Sequence, residues 1–229
     1  MFGEGPLRTR LALVFQLIAG LGLLAPEMAE AQVLLTGENG GKGSQSIMVS
    51  ANAIVPRDYT VLANAWAQYG YGLANRADLF VSYGNITAFG WTQHYASLGL
   101  NLGLVKRRRA GVDLSFYNNA TFPFNRRDQA CTVLLYSAVV ASRPVKLGRR
   151  SFTLYGGFSR LHPIGHHADK VFTPGEVVYS GIAGVAIPLS STLTLFLEYN
   201  PGHSQPSAGA GVLCVVPRRE EPAGQSVAP

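Results

Sequence analysis

Charge is what this chain has least of. Asp, Glu, Lys and Arg together make up 14% of its 229 residues, where an ordinary soluble domain carries about a quarter. Mean hydropathy is positive, +0.14. Long apolar runs are also missing once the first 24 residues are passed, which excludes a spanning helix in the rest of the chain. Cysteine is scarce: Cys131 and Cys214 permit one disulfide. Counting strands puts the two near opposite ends of strands that are not neighbours, too far apart for a bridge. They are expected as free thiols, buried or facing lipid. Acidic residues are fewer than basic ones, 13 against 19, for a net charge of +6. A basic balance usually suggests nucleic acid, but here the basic residues gather in turns without forming a groove, and an export signal precedes them.

That signal occupies residues 1–31. Arg8 and Arg10 come before an apolar run from Leu11 to Leu24, and Ala29-Glu30-Ala31 supplies small residues for cleavage before Gln32. A basic start, a short greasy segment and an A-x-A exit read as a secretory signal peptide. The run falls short of the roughly 20 residues of a spanning helix, which favours cleavage over anchoring. No cysteine follows the cut, which argues against a lipoprotein. An exported, apolar chain without further spanning helices needs another way to use its greasy surface. A closed barrel is the other structure that satisfies its own backbone inside a bilayer.

The residues present agree. From Tyr59 to Gly84 the chain alternates: Val61, Ala63, Ala65, Ala67, Tyr69, Tyr71 and Leu73 share one parity, and Thr60, Asn64, Gln68, Gly70 and Gly72 the other, with Leu62 and Trp66 as exceptions. Successive side chains leave a strand on opposite sides, so this is a strand with two chemically different faces. The polar face holds Asn, Gln, Gly and Ser but no Lys or Glu, which suits an enclosed lumen better than open solvent. Ala74 to Asp78 breaks the pattern and makes a hairpin turn. The cleanest alternation sets Ala96, Leu98, Leu100, Leu102 and Leu104 against Tyr95, Ser97, Gly99, Asn101 and Gly103. Further on, the stretch from about Gln129 to Ser142 is apolar on both faces, so its register is open.

Read this way, the fold is all-β: a closed, antiparallel, up-and-down transmembrane β-barrel of about ten strands, with eight to twelve allowed. Residues 32–44 form a Gly-rich periplasmic lead-in, 45–216 the barrel, and 217–229 a disordered tail. If the first strand rises from the periplasm, the longer connections, beginning near Asn85, Asn118 and Arg160, fall outside, and the short ones near Asn75, Lys106 and Pro188 fall inside. That is the expected asymmetry. The lipid-facing set is Leu98, Leu100, Leu102, Val112, Leu114, Leu195 and Leu197. The lumen-facing set is Trp66, Tyr95, Asn101, Asp113, Tyr117, Tyr155 and Glu198. Ten strands lie close to the eight at which side chains fill the interior, so the lumen is expected to be plugged or very narrow.

YGLANRADLFVSYG (Tyr71 to Gly84) and GVAIPLSSTLTLFLEYN (Gly184 to Asn200), with the alternation around them, resemble small outer-membrane β-barrel proteins of double-membraned bacteria. The resemblance covers roughly Gln45 to Val216 and belongs to a class, not to one activity. It implies an outer-membrane location, a monomer, contact with outer-membrane lipids and lipopolysaccharide, and insertion by the barrel-assembly machinery. Members of the class commonly end on an aromatic residue, whereas Pro217 to Pro229 contains none.

No catalytic, cofactor or metal site is expected. His162, His166, His167 and Asp169 cluster in one outer loop and could ligate a transition metal, but an exposed polar loop is the plainer reading. Glu198, His203 and Ser204 resemble the triad of lipid A deacylases, yet adjacent His203 and Ser204 would point oppositely on a strand. The expected role is therefore structural, or adhesive and ligand-binding through the outer loops. A narrow diffusion channel is the alternative, and a lipid-modifying enzyme trails it.

Overall fold

The computed structural model describes residues 40–54, 61–88, 91–106, 111–124, 133–148, 150–164, 177–201 and 206–216. The ten strands are β1 (Gln45–Ile54), β2 (Leu62–Ala74), β3 (Ala77–Ala88), β4 (Trp91–Val105), β5 (Asp113–Phe124), β6 (Val133–Leu147), β7 (Arg150–Ile164), β8 (Val178–Pro188), β9 (Leu193–Asn200) and β10 (Ser207–Val216). Each pairs antiparallel with its neighbours in sequence. The ring closes where β1 pairs with β10, from Gln45↔Val216 to Ile54↔Ser207. Gln45 and Val216 thus lie at one end of the barrel, the terminal end. Closure leaves no unpaired sheet edge, as a bilayer demands.

Burial alternates with the pleat. Along β2, Leu62, Asn64, Trp66, Gln68 and Gly70 are buried while Ala63, Ala65, Ala67, Tyr69 and Tyr71 are exposed. The buried side is the lumen, and it mixes Asn, Ser and Thr with aromatic rings. The exposed side carries the large hydrophobics: Leu98 is 50% exposed, Val49 58% and Phe158 79%. A soluble domain would reverse this arrangement. Tyr83, His94 and Phe124 cluster on the same outer side, with Tyr83 Oη 3.0 Å from His94 Nδ1.

Pairing settles the strand whose sequence was ambiguous. β6 turns Leu134, Tyr136, Ala138, Val140 and Ser142 inward. Ser142 is held opposite Asp113 on one side and Tyr155 on the other, both lumen residues. With Val139 outside and Val140 inside, hydrophobicity alone could not choose between the two parities.

The strands run further than the sequence pattern suggested. Residues 85–91, read as a loop, continue β3 to Ala88 and begin β4 at Trp91, with Ile86↔Gln93 and Thr87↔Thr92 paired. β5 continues through Asn118 to Phe124. Pro123 lies near the end of the strand, opposite Tyr95 of β4. β7 reaches Ile164, and the basic stretch 143–150 is mostly strand, turning at Gly148 (φ 60°). Polar and basic residues at strand ends had looked like loops, but a barrel wall can continue beyond the lipid. At the β8–β9 turn Ser190 Oγ accepts hydrogen bonds from the backbone N–H of Thr192 and Leu193.

Candidate functional site

The lumen is the enclosed space a function could use, and large side chains occupy much of it. Trp66, Tyr95, Tyr117, Tyr136, Tyr155 and Phe196 are all buried there. Phe80 and Tyr117 pack at 5.9 Å, Tyr117 and Tyr136 edge-on at 6.1 Å, and Tyr155 and Phe196 edge-on at 6.3 Å. Rings of this size fit because neighbouring strands offer glycine at the contact. A Cβ on Gly84 would come within 2.6 Å of Tyr95 Oη and 2.7 Å of Trp66 Cβ.

The polar atoms between the rings are tied together. Tyr95 Oη donates to Asn64 Oδ1 at 2.8 Å, Ser97 Oγ lies 3.0 Å from Thr121 Oγ1, and Ser50 Oγ donates to the Ala210 carbonyl at 2.9 Å. Glu198 accepts from Tyr155 Oη at 3.1 Å and from Asn200 Nδ2 at 2.9 Å. A buried carboxylate is costly without such donors.

Small gaps lie between these side chains. One, of about 10 Å³, lies between Trp66, Tyr95, Tyr117 and Asn119, barely the space of a single water. Another, of about 100 Å³, opens near the terminal end between Gly40, Ser44, Gln68, Asp78, Asn101 and Phe196. A turn of the lead-in lies across this mouth. Gly43 N–H donates to the Gly72 carbonyl at 2.6 Å, Gly72 N–H to the Ser44 carbonyl at 2.9 Å, and Gly40 N–H to Asp78 Oδ2 at 3.2 Å. Gly41 and Gly43 take left-handed conformations, φ 84° and 77°, which only glycine adopts cheaply. The Gly-rich composition of the lead-in was plain in the sequence, but its docking across the mouth was not.

Charge is sorted by face. Among the described residues every carboxylate, Asp78, Asp113 and Glu198, is buried in the lumen. Lys42, Arg76, Lys106, Arg143, Lys146 and Arg150 lie at the terminal end, and Arg160 lies on the outer wall of β7.

The structure places the sequence-derived positions as follows. Trp66, Tyr95, Asn101, Asp113, Tyr117, Tyr155 and Glu198 are all buried in the lumen. It brings Tyr155 and Glu198 into contact, and Tyr95 and Tyr117, on neighbouring strands, to the lining of one small gap. Leu98 is exposed, and Leu100, Leu102, Leu114, Leu195 and Leu197 are half-buried at outward positions. Val112 differs: it precedes β5 in the bend after Gly111 and is not a strand residue. His162 is also a correction, for it sits in β7 and not in a loop. His166, His167, Asp169, His203, Ser204 and Cys131 lie outside the described residues. Glu198 opens into the lumen, so it cannot serve a catalytic group on the outer wall. Cys214 is a free thiol, half-buried on the outer side of β10 opposite Ile47 and Leu193. Asp78, buried at the mouth, was missed by sequence reasoning. Its signal was its parity, opposite to that of Leu79 and Val81.

A closed antiparallel ten-stranded barrel, with large apolar side chains outside and polar and aromatic ones enclosed, has the architecture of a transmembrane β-barrel. No protein-family model matches the chain, nor does any curated protein. Among solved structures it is similar to the translocator domain of the autotransporter NalP from Neisseria meningitidis (10% identity, 79% of this chain and 90% of that one, TM-score 0.45). It is also similar to an outer-membrane channel from Pseudomonas putida (12% identity, 82% and 100%, TM-score 0.39). A third likeness is to the N-terminal β-barrel domain of OprF from Pseudomonas aeruginosa (13% identity, 77% and 99%, TM-score 0.35).

Proposed function

We infer that the protein is a monomeric outer-membrane barrel, exported by a cleaved leader, whose role is structural or exercised through its outer loops by adhesion or ligand binding. One observation carries this reading: six large rings, Trp66, Tyr95, Tyr117, Tyr136, Tyr155 and Phe196, are buried inside the barrel, with Tyr117 packed on Tyr136 and Tyr155 on Phe196. A wall built to conduct would not place its largest side chains there. The enclosed acids hold structural hydrogen bonds, as Glu198 does with Tyr155 and Asn200, and no catalytic step is assigned to them.

A narrow cation path is the second reading, supported by the buried carboxylates Asp78, Asp113 and Glu198 and the lumen's lack of any described basic residue. Planar-bilayer recording of the refolded, leader-free chain separates the two. Absence of discrete conductance steps is expected. Reproducible cation-selective steps would replace the first reading with the second.

A further inference from the structure

Among the described residues, one polar row on the greasy outer wall lies away from the terminal end and carries a charge. Asn118 of β5, Ser137 of β6 and Arg160 of β7 are successive register partners, and Arg160 is in turn paired with Tyr179 of β8. All four face away from the lumen: Asn118, Arg160 and Tyr179 are exposed and Ser137 is partly so. Ser137 Oγ donates to Asn118 Oδ1 at 2.7 Å. Two residues beyond Arg160 on the same face of β7 is His162, whose Nδ1 is buried without a hydrogen-bond partner among the described residues. Around the row the wall is apolar again, with Phe158 at 79% exposure, Val139 at 42% and Phe122 at 40%.

Arg160 is the informative member. It is the one described basic residue away from the terminal end, and every described carboxylate lies across the wall in the lumen. A guanidinium stays ionised at any accessible pH, and placing it on a lipid-facing wall costs free energy unless an anion or the interface meets it. Tyr179, 67% exposed beside it, is the residue type that marks a membrane interface. A guanidinium fork matches phosphate in two parallel hydrogen bonds.

We propose that this row seats one phosphorylated lipid of the outer leaflet. Arg160 pairs with the headgroup phosphate, and Tyr179 adds a hydrogen bond beside it. The Ser137–Asn118 pair meets the ester or hydroxyl groups at the top of the acyl chains, which lie along Phe158 and Val139. The inference requires only that the barrel be inserted in a membrane, and it stands whether or not the lumen conducts.

Native mass spectrometry of the refolded, leader-free chain, released from mixed micelles containing phosphatidic acid, tests it. The wild type is expected to retain a bound phosphatidic acid in preference to phosphatidylcholine. Arg160→Gln should weaken that retention about tenfold, the worth of a charge-assisted contact, and Arg160→Lys should recover part of it. Arg150→Gln, at the opposite end of the same strand, should leave it intact. Unchanged heat-modifiable migration of each variant on a gel shows that the barrel has folded. Equal retention by wild type and Arg160→Gln overturns the proposal. So does a change in oligomeric mass on Arg160→Gln without lipid loss, which would assign the row to a protein partner.

Discussion

Tyr155 on β7 reaches across β8 to donate a hydrogen bond to Glu198 on β9. The residue between them on β8 is Gly184, paired with Tyr155 on one side and Glu198 on the other. The ring lies directly over this glycine, where a Cβ would collide with it. Three strands are thus tied by one contact that exists only because the middle one has no side chain.

Two substitutions at this contact should be costly for different reasons. Gly184→Ala is expected to displace the Tyr155 ring and destabilise the barrel by about 1–3 kcal/mol, the usual effect of overpacking. Tyr155→Phe keeps the ring but strips Glu198 of a donor, with a loss of about 1–3 kcal/mol. Urea unfolding in lipid vesicles measures both. Wild-type stability for Gly184→Ala would mean that the ring does not sit over the glycine.

The lead-in turn should protect its own lysine. Lys42 lies between two left-handed glycines whose neighbours bond to Gly72 and Asp78. Gly72→Ala would place a methyl group against the Gly41 carbonyl and should free the turn. Trypsin is then expected to cut after Lys42 several-fold faster than in the wild type, and identical rates would show that the turn is not docked. Asp78→Asn, which weakens the bond from Gly40 N–H, should have a smaller effect in the same direction.

Polarity of the outer wall can be read from arginine scanning. Leu98→Arg puts a charge in the middle of β4's outer face, and the expected cost is about 2–4 kcal/mol in vesicles. At Leu147, the last residue of β6 at the terminal end and 73% exposed, arginine should cost about 0–1 kcal/mol. Equal costs at the two sites, with a mature chain soluble without detergent, would mean that this wall does not face lipid.

Cys214 offers a chemical check of the same face. In a Cys131→Ser background its thiol should resist a charged, water-soluble maleimide in vesicles and react with a membrane-permeant one. Rapid labelling by the charged reagent would place it in water.

Much of the architecture was legible along the chain because a strand's faces are written with a period of two. Trp66, Tyr95 and Glu198 could be placed opposite Ala65, Ala96 and Leu197 without knowing any neighbour. The reading failed where the period carried no contrast. Along β6 both parities are apolar, and only Ser142 between Asp113 and Tyr155 selects one. It also failed at strand ends, where Asn85, Thr87 and His162 are polar enough to suggest loops yet remain in the ladder. There, hydrogen bonds to the next strand outweigh local propensity.

By itself the sequence determined which side chains share a face and roughly how many strands there are, since both follow from alternation and turn residues a few positions apart. The tertiary structure decided that the ring closes, that Gly184 receives the Tyr155 ring, that the lead-in lies across the mouth, and that Asn118, Ser137 and Arg160 stand in one row. Those meetings depend on register between segments far apart in the chain. Register is set by the joint fit of every ladder around a closed ring, and no single stretch of residues contains that information.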